Sequence, residues 1–329
     1  MESRKPGPHR GARDALIRTG PAGWSYPDSP GHLYPADTPK KFDVLAYLAS
    51  YFDTIEINAS FYAPQPPQNY ASWVRRVGHN PRFQFTAKLW QGFTHGVMDY
   101  GRKADKPPKA GTKELPQWTS DDVRLVKEGF QVLRDANLLG AVLAQFPWSF
   151  RPDQPGFERL ERLAEDFAGW PVVVELRHGS WAEREHALLL RHLGLGFANI
   201  DQPVIGDSLR PTAGVTSDIG YVRLHGRRYD TWFEHGEDVA ARYDYLYSAE
   251  ELEPWIDRIR KIAQAEGVRD VYVISNNHFE GKGPANALMI RSMLDGAAVA
   301  APPTLLETYR DVLGPCCYPS PAPVNPQGP

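Results

Sequence analysis

Residues 172–181 read VVVELRHGSW, and the change of chemistry along that stretch decides the fold. The run VVVEL is apolar at consecutive positions, as a parallel strand covered on both faces must be. Glu175, Arg177 and His178 stand where the apolar run stops. The same abrupt change recurs in GPAGWSY (20–26), TIEINASFY (54–62), FQFTAKLW (83–90), AVLAQFPWSF (141–150), GFANID (196–201), YVRLHGR (221–227) and VYVISNN (271–277). Strand tips that converge on one mouth are how a (β/α)8 barrel assembles a site, so the pattern predicts a parallel, eight-stranded TIM barrel.

Helical periodicity fills the intervals: 42–52, 123–136, 157–170, 183–194 and 248–267, the last opened by Ser248 and Glu251 as a capping box. Strand, helix, strand repeated through a chain implies a single α/β domain. Within the 329 residues, 16–300 read as the barrel and 1–15 as a disordered basic extension. Residues 301–329 read as a C-terminal segment, Pro-rich and expected to be disordered from 315, with proline too frequent for helix or strand. The segment 96–120, rich in Pro, Gly and Lys, interrupts the rhythm after the third strand and is expected to overhang the mouth as a substrate loop or lid.

Composition narrows the function. A net charge of -3 gives no global field that would draw the chain to nucleic acid or membrane, so anion binding must be local. No run of 18 apolar residues occurs and the first residues lack the apolar core of a secretory signal, which predicts a soluble, cytoplasmic protein with no membrane partner. The only cysteines, Cys316 and Cys317, are adjacent and suit neither a disulfide framework nor a thiolate metal site. The sequence carries no signature of oligomeric state.

Several stretches together resemble a known family: GWSYPDSPGHLYP (23–35), TIEINASFY, FTAK (85–88) with FTH (93–95), QFPWSF (145–150), VELRHGSW, YVRLHGR, and NN with NAL (276–277, 286–288). In this order, over about Ile17 to Leu294, they are similar to the YecE-like family, domain of unknown function 72. The resemblance implies a TIM barrel and brings no established activity. The chain departs from the family pattern at Pro21-Ala22, Ser29, Trp148 and Ser275, and 96–120 is longer than is typical; these changes touch the rim and leave the charged centre intact.

Alternation places Glu175 and Arg177 on one strand face, and Arg223 and His225 on another, each looking into the mouth at a tip. An internal ion pair of Glu175 or Arg177 with each other, Arg223 or Lys88 is the alternative to a ligand-facing role. Arginines offer a planar donor fork for phosphate or carboxylate, so Arg177, Arg223 and Lys88 are the expected anion clamp, with Arg227 at the exit. Glu175 or Glu56 is the expected general base, and His225 or His178 the general acid, with Asp201 a further catalytic candidate. Asn58, Gln145 and Asn276 complete the tips, while Trp24, Tyr62 and Trp181 offer rings for packing or stacking. Asn58, Asp201 and Asn276 equally suit capping of strand-to-loop turns. Lys282, in FEGKGPAN (279–286), follows the eighth strand, where barrels often hold a phosphate.

These residues predict a metal-independent enzyme acting on a small anionic or phosphorylated ligand, such as a nucleotide, a nucleic-acid end or a sugar phosphate. No cofactor is expected. Two alternatives stand beside it: a divalent-metal nuclease or isomerase using Glu175, His178, Asp201, His225 and Glu56, although cations crowd these groups; and a non-catalytic anion-binding or sensor module.

Overall fold

The eight strands are β1 (Leu16–Pro21), β2 (Thr54–Ile57), β3 (Gln84–Lys88), β4 (Leu139–Gln145), β5 (Val172–Glu175), β6 (Gly196–Asp201), β7 (Ile219–Leu224) and β8 (Asp270–Ser275). They belong to a computed structural model that describes residues 15–95, 117–228 and 243–321. All pairings are parallel, in the order β1-β8-β7-β6-β5-β4-β3-β2, so the sheet curls until its two ends meet. At the β1–β2 seam a bridge joins Ala22 to Glu56, and the Gly23 N–H donates to the Glu56 carbonyl at 2.8 Å. A Cβ on Gly20 would stand 1.7 Å from the Thr54 carbonyl oxygen, so only glycine lets the two strands approach this closely. The result is a single-domain TIM-like α/β barrel, as the strand tips predict.

Helices α1 (Val44–Ala49), α2 (Ala59–Tyr62), α3 (Pro67–Val77), α4 (Ser120–Asp135), α5 (Gln154–Asp166), α6 (Arg184–His192), α7 (Ala249–Ala263) and α8 (Lys282–Asp295) occupy the crossovers. Capping boxes start α4 at Thr119 with Asp122 and α7 at Ser248 with Glu251. The five helices read from periodicity are α1, α4, α5, α6 and α7; α3 and α8 join them. α8 buries nine of its residues, including Asn286, whose side chain bonds the Tyr247 backbone on both sides.

The C-terminal segment differs from expectation. Beyond α8, β9 (Val299–Ala301), α9 (Pro303–Thr308) and α10 (Arg310–Leu313) lead to β10 (Cys317–Pro319), which pairs in parallel with β9. Residues 315–320 therefore lie within the fold rather than outside it. The run Cys317-Tyr318 supplies the pairing, and Pro319 comes at the strand's end, where Ser320 N–H resumes donation to the Ala301 carbonyl at 3.1 Å. Both cysteines are free thiols. The expected 1–15 extension, apart from Ala15, and most of the 96–120 loop lie outside the described residues.

Candidate functional site at the barrel mouth

The centre of the barrel carries charge. Arg223, on β7, is fully buried and its fork is occupied on both sides: Nη2 and Nε donate to the two oxygens of Glu56 at 2.6 and 3.0 Å, and Nη1 donates to Glu175 Oε2 at 2.7 Å. Glu175 Oε1 accepts from Arg177 Nε at 2.9 Å, and Tyr221 Oη donates to Glu56 at 3.0 Å. Burial alone would push the Glu175 carboxyl up, but Arg223 and Arg177 outweigh it and hold it well below the usual range. The Arg223 guanidinium is likewise held charged by Glu56 and Glu175 against the penalty of burial. The internal ion pairing weighed from sequence is thus present, and it involves both arginines.

His225 adjoins this cluster. Asn276 Nδ2 lies 3.0 Å from its Nδ1, which must therefore accept, leaving Nε2–H to donate to Glu175 Oε1 at 3.2 Å. Burial pushes the ring down to about 3, so it is neutral across the physiological range. Two carboxylates are matched by two guanidinium groups, and no charge is left over.

Lys88 stands one pleat further along, at the end of β3, two residues beyond Thr86, which registers against Glu56. Its Nζ lies 4.1 Å from the centre of the Phe61 ring, and among the described residues it forms no ion pair with a carboxylate. Burial, then the field of Arg223, pushes this amine down to about 7; Glu56 and Glu175 oppose the shift without cancelling it. A protonated Lys88 would be the one unmatched charge among the described residues of the bore. Beside it, burial pushes His95 down to about 4, with Lys88 adding to the shift.

Above the charges opens a cavity of about 440 Å³. Lys88, Asn58, Gln145 and Asn276 line it from four strand tips, with Trp24 and the exposed Tyr62 at its rim. Asn58 makes no capping bond to α2; its Nδ2 donates to Tyr26 Oη at 3.0 Å, and its buried Oδ1 has no partner among the described residues. The Gln145 carboxamide makes no hydrogen bond among the described residues. One wall is a stack of rings: His278 lies 4.0 Å from Tyr26, nearly parallel to it, and 4.6 Å from Tyr243. Burial pushes His278 down to about 4, so this wall too is neutral.

The family model described as "Protein of unknown function DUF72" matches residues 18–307. The chain belongs to this family. UPF0759 protein YunF of Bacillus subtilis (strain 168) is 28% identical over 289 residues, spanning 85% of this chain and 95% of that protein. A crystal structure of a DUF72 family protein from Thermotoga maritima MSB8 superposes with a TM-score of 0.71 at 28% identity, over 85% of this chain and 99% of that one. A second DUF72 structure, from Enterococcus faecalis V583, gives 0.69 at 23% identity over 85% and 96%, and shares the fold.

In this DUF72 barrel the expected site divides into two groups. Lys88, Asn58, Gln145, Asn276, Trp24 and Tyr62 line the cavity, whereas Glu56, Glu175, Arg223 and His225 lie beneath it. The donor fork of Arg223, expected on a ligand anion, is filled by protein carboxylates instead. Asp201 is held by Arg227 Nε at 2.9 Å; burial raises its carboxyl, and Arg227 and Tyr247 only partly offset this. Arg227 is thereby a partner of Asp201 and of Glu251. His178 caps the following turn through Ser180, and Trp181 packs on Phe150 at 5.3 Å while its Nε1 donates to the Phe150 carbonyl. Lys282 is bound by Asp244 and Glu280 rather than open to a phosphate. Among the described residues no group of three or more His, Cys, Asp or Glu gathers as metal ligands, and none of the helices is long and apolar enough to cross a membrane. Tyr26, Tyr243 and His278 were not singled out from sequence, although Tyr26 follows Trp24 by two residues and His278 follows the eighth tip directly.

Proposed function

We propose that this protein is an enzyme acting on a small anionic substrate held in the barrel-mouth cavity, with Lys88 as the group that meets the anion. The observation that carries the reading is a lysine in the cavity wall with no carboxylate partner among the described residues, above a cluster whose charges already balance. An arriving carboxylate or phosphate supplies the missing counter-charge and draws a proton onto the amine. The amide groups of Asn58, Gln145 and Asn276 provide neutral polar contacts, and the Tyr26–His278–Tyr243 stack a flat wall. The anion clamp expected of three cations is thus concentrated on Lys88, while Arg177 and Arg223 act by setting its charge.

The test is thermal unfolding of the wild type and of Lys88→Met with phosphate, sulfate, small carboxylates, sugar phosphates and nucleotides. A ligand at 100 times its Kd stabilises the fold by about 2.7 kcal/mol. The expected result is stabilisation by one class of anion that is lost in Lys88→Met, with proton uptake on binding near pH 7.5. Equal stabilisation of both proteins, or none with any anion, overturns the reading. Tight binding with no product formed would convert the enzyme into a sensor of the same anion.

A further inference from the structure

Lys88 has the surroundings of a nucleophile as well as those of a cation. A lysine attacks a carbonyl only as the free amine, and proteins favour that form by desolvation or by placing other cations nearby. Both conditions hold here: the amine is withdrawn from water in the bore, with Arg223 nearby, and the carboxylates that would stabilise an ammonium group are claimed by Arg223 and Arg177, which leaves the Phe61 ring face as its contact among the described residues. Lys88 also opens directly on the cavity, with room for a small molecule beside it. The carboxamide of Gln145, unengaged among the described residues, and the unpartnered Oδ1 of Asn58 can orient a polar substrate at that spot.

Resting on the reading of this cavity as a substrate site, we infer that Lys88 forms an imine with a small 2-oxo acid. The Lys88 nitrogen lone pair adds to the carbonyl carbon, giving a carbinolamine. Protonation of its hydroxyl by solvent lets that oxygen leave as water, and the nitrogen lone pair forms the C=N bond. In sum, the carbonyl, the neutral amine and one proton yield a protonated imine and one water. The carboxylate beside the carbonyl matches the positive charge of the iminium, so the bore is balanced once the imine has formed. This matching is why a 2-oxo acid fits better than a neutral aldehyde or ketone: a neutral carbonyl would leave the iminium as an unpaired charge above Arg223.

The experiment incubates the wild-type protein near pH 7 with pyruvate or glyoxylate, and with acetone as the neutral comparison, in the presence of cyanoborohydride, followed by peptide mass mapping. The expected result is a reduced adduct at Lys88 formed at least about tenfold faster than at any surface lysine, because burial and Arg223 favour the free amine at Lys88. It is faster with the 2-oxo acids than with acetone, and absent in Lys88→Arg. Mapping the wild type itself keeps the result independent of how any variant folds. Adducts spread over surface lysines with no enrichment at Lys88, while anions still stabilise the wild type and not Lys88→Met, overturn the imine and leave the anion site standing. Enrichment at Lys88 with acetone equal to the 2-oxo acids overturns the substrate class. Neither enrichment nor anion stabilisation overturns both readings.

Discussion

Replacing Arg223 with Met tests the charge balance on which the site depends. The substitution leaves Glu56 and Glu175, both fully buried, without the guanidinium that contacts each of them through hydrogen bonds of 2.6 to 3.0 Å. Removing one partner of a buried pair costs about 3–5 kcal/mol, and here two carboxylates lose the same partner, so the expected loss lies near the upper end. Against a typical stability of about 5–15 kcal/mol this is a large share, and it reads directly as a lower urea midpoint with an unchanged slope. The pH dependence gives a second, sharper readout. In the wild type the Glu175 carboxyl is held low, so its contribution is present above the ordinary carboxylate range and is lost as pH falls through its folded value. In Arg223→Met the largest of the charges that hold Glu175 low is gone, so its carboxyl rises from its wild-type value. The folded variant then binds more protons than the folded wild type, and its deficit narrows as pH falls from 7.5 to 5. Adding Glu56→Gln and Glu175→Gln should recover part of the loss at pH 7.5. A deficit under about 1 kcal/mol, or one independent of pH, would refute the argument that these charges are desolvated and mutually matched.

Lys88→Met should stabilise the protein, by about 1–3 kcal/mol at pH 7 after allowance for partial exposure, because the folded value of about 7 lies below that of an unfolded lysine. The unfolded chain binds the extra proton between those two values, so wild-type stability from this group rises with pH from about 7 towards 10, and urea titrations of Lys88→Met should lack that rise. Gly20→Ala places a Cβ against the Thr54 carbonyl at the β1–β2 seam and should cost about 3 kcal/mol or more in the same assay; a neutral effect would mean that the seam can open. Ser248→Ala removes one half of the α7 capping box and should lower stability by about 1 kcal/mol, with Glu251→Ala adding less than its own single effect, since the two bonds act together.

The tips of the strands were legible because a barrel strand changes chemistry abruptly where it leaves the covered sheet, and Lys88, Asn58, Gln145 and Asn276 were placed by that change alone. Alternation also put Glu175 beside Arg177. It could not show that Arg223 already holds two carboxylates, since Glu56 is 167 positions away and Glu175 is 48. In the proposed reading the role expected of Arg223 therefore passes to Lys88, whose lack of a carboxylate among the described residues is visible only once its neighbours' partners are known. The helix α8 escaped periodicity because burial on nearly every side leaves no polar face to set a period. In the C-terminal segment the count of prolines hid a short run between them that is free to pair.

The contact between Glu56 and Arg223 joins the second strand to the seventh, so it cannot form until nearly the whole barrel has been assembled. Closing so long a stretch of chain is entropically late, and a partly folded chain must keep these carboxylates hydrated or protonated. In such a chain Lys88 is an ordinary ammonium group, because neither its desolvation nor the two guanidinium groups are yet in place. In the chemistry inferred above, the amine becomes reactive only when the last strands dock, so amine reactivity at Lys88 would serve as a built-in reporter of completed folding.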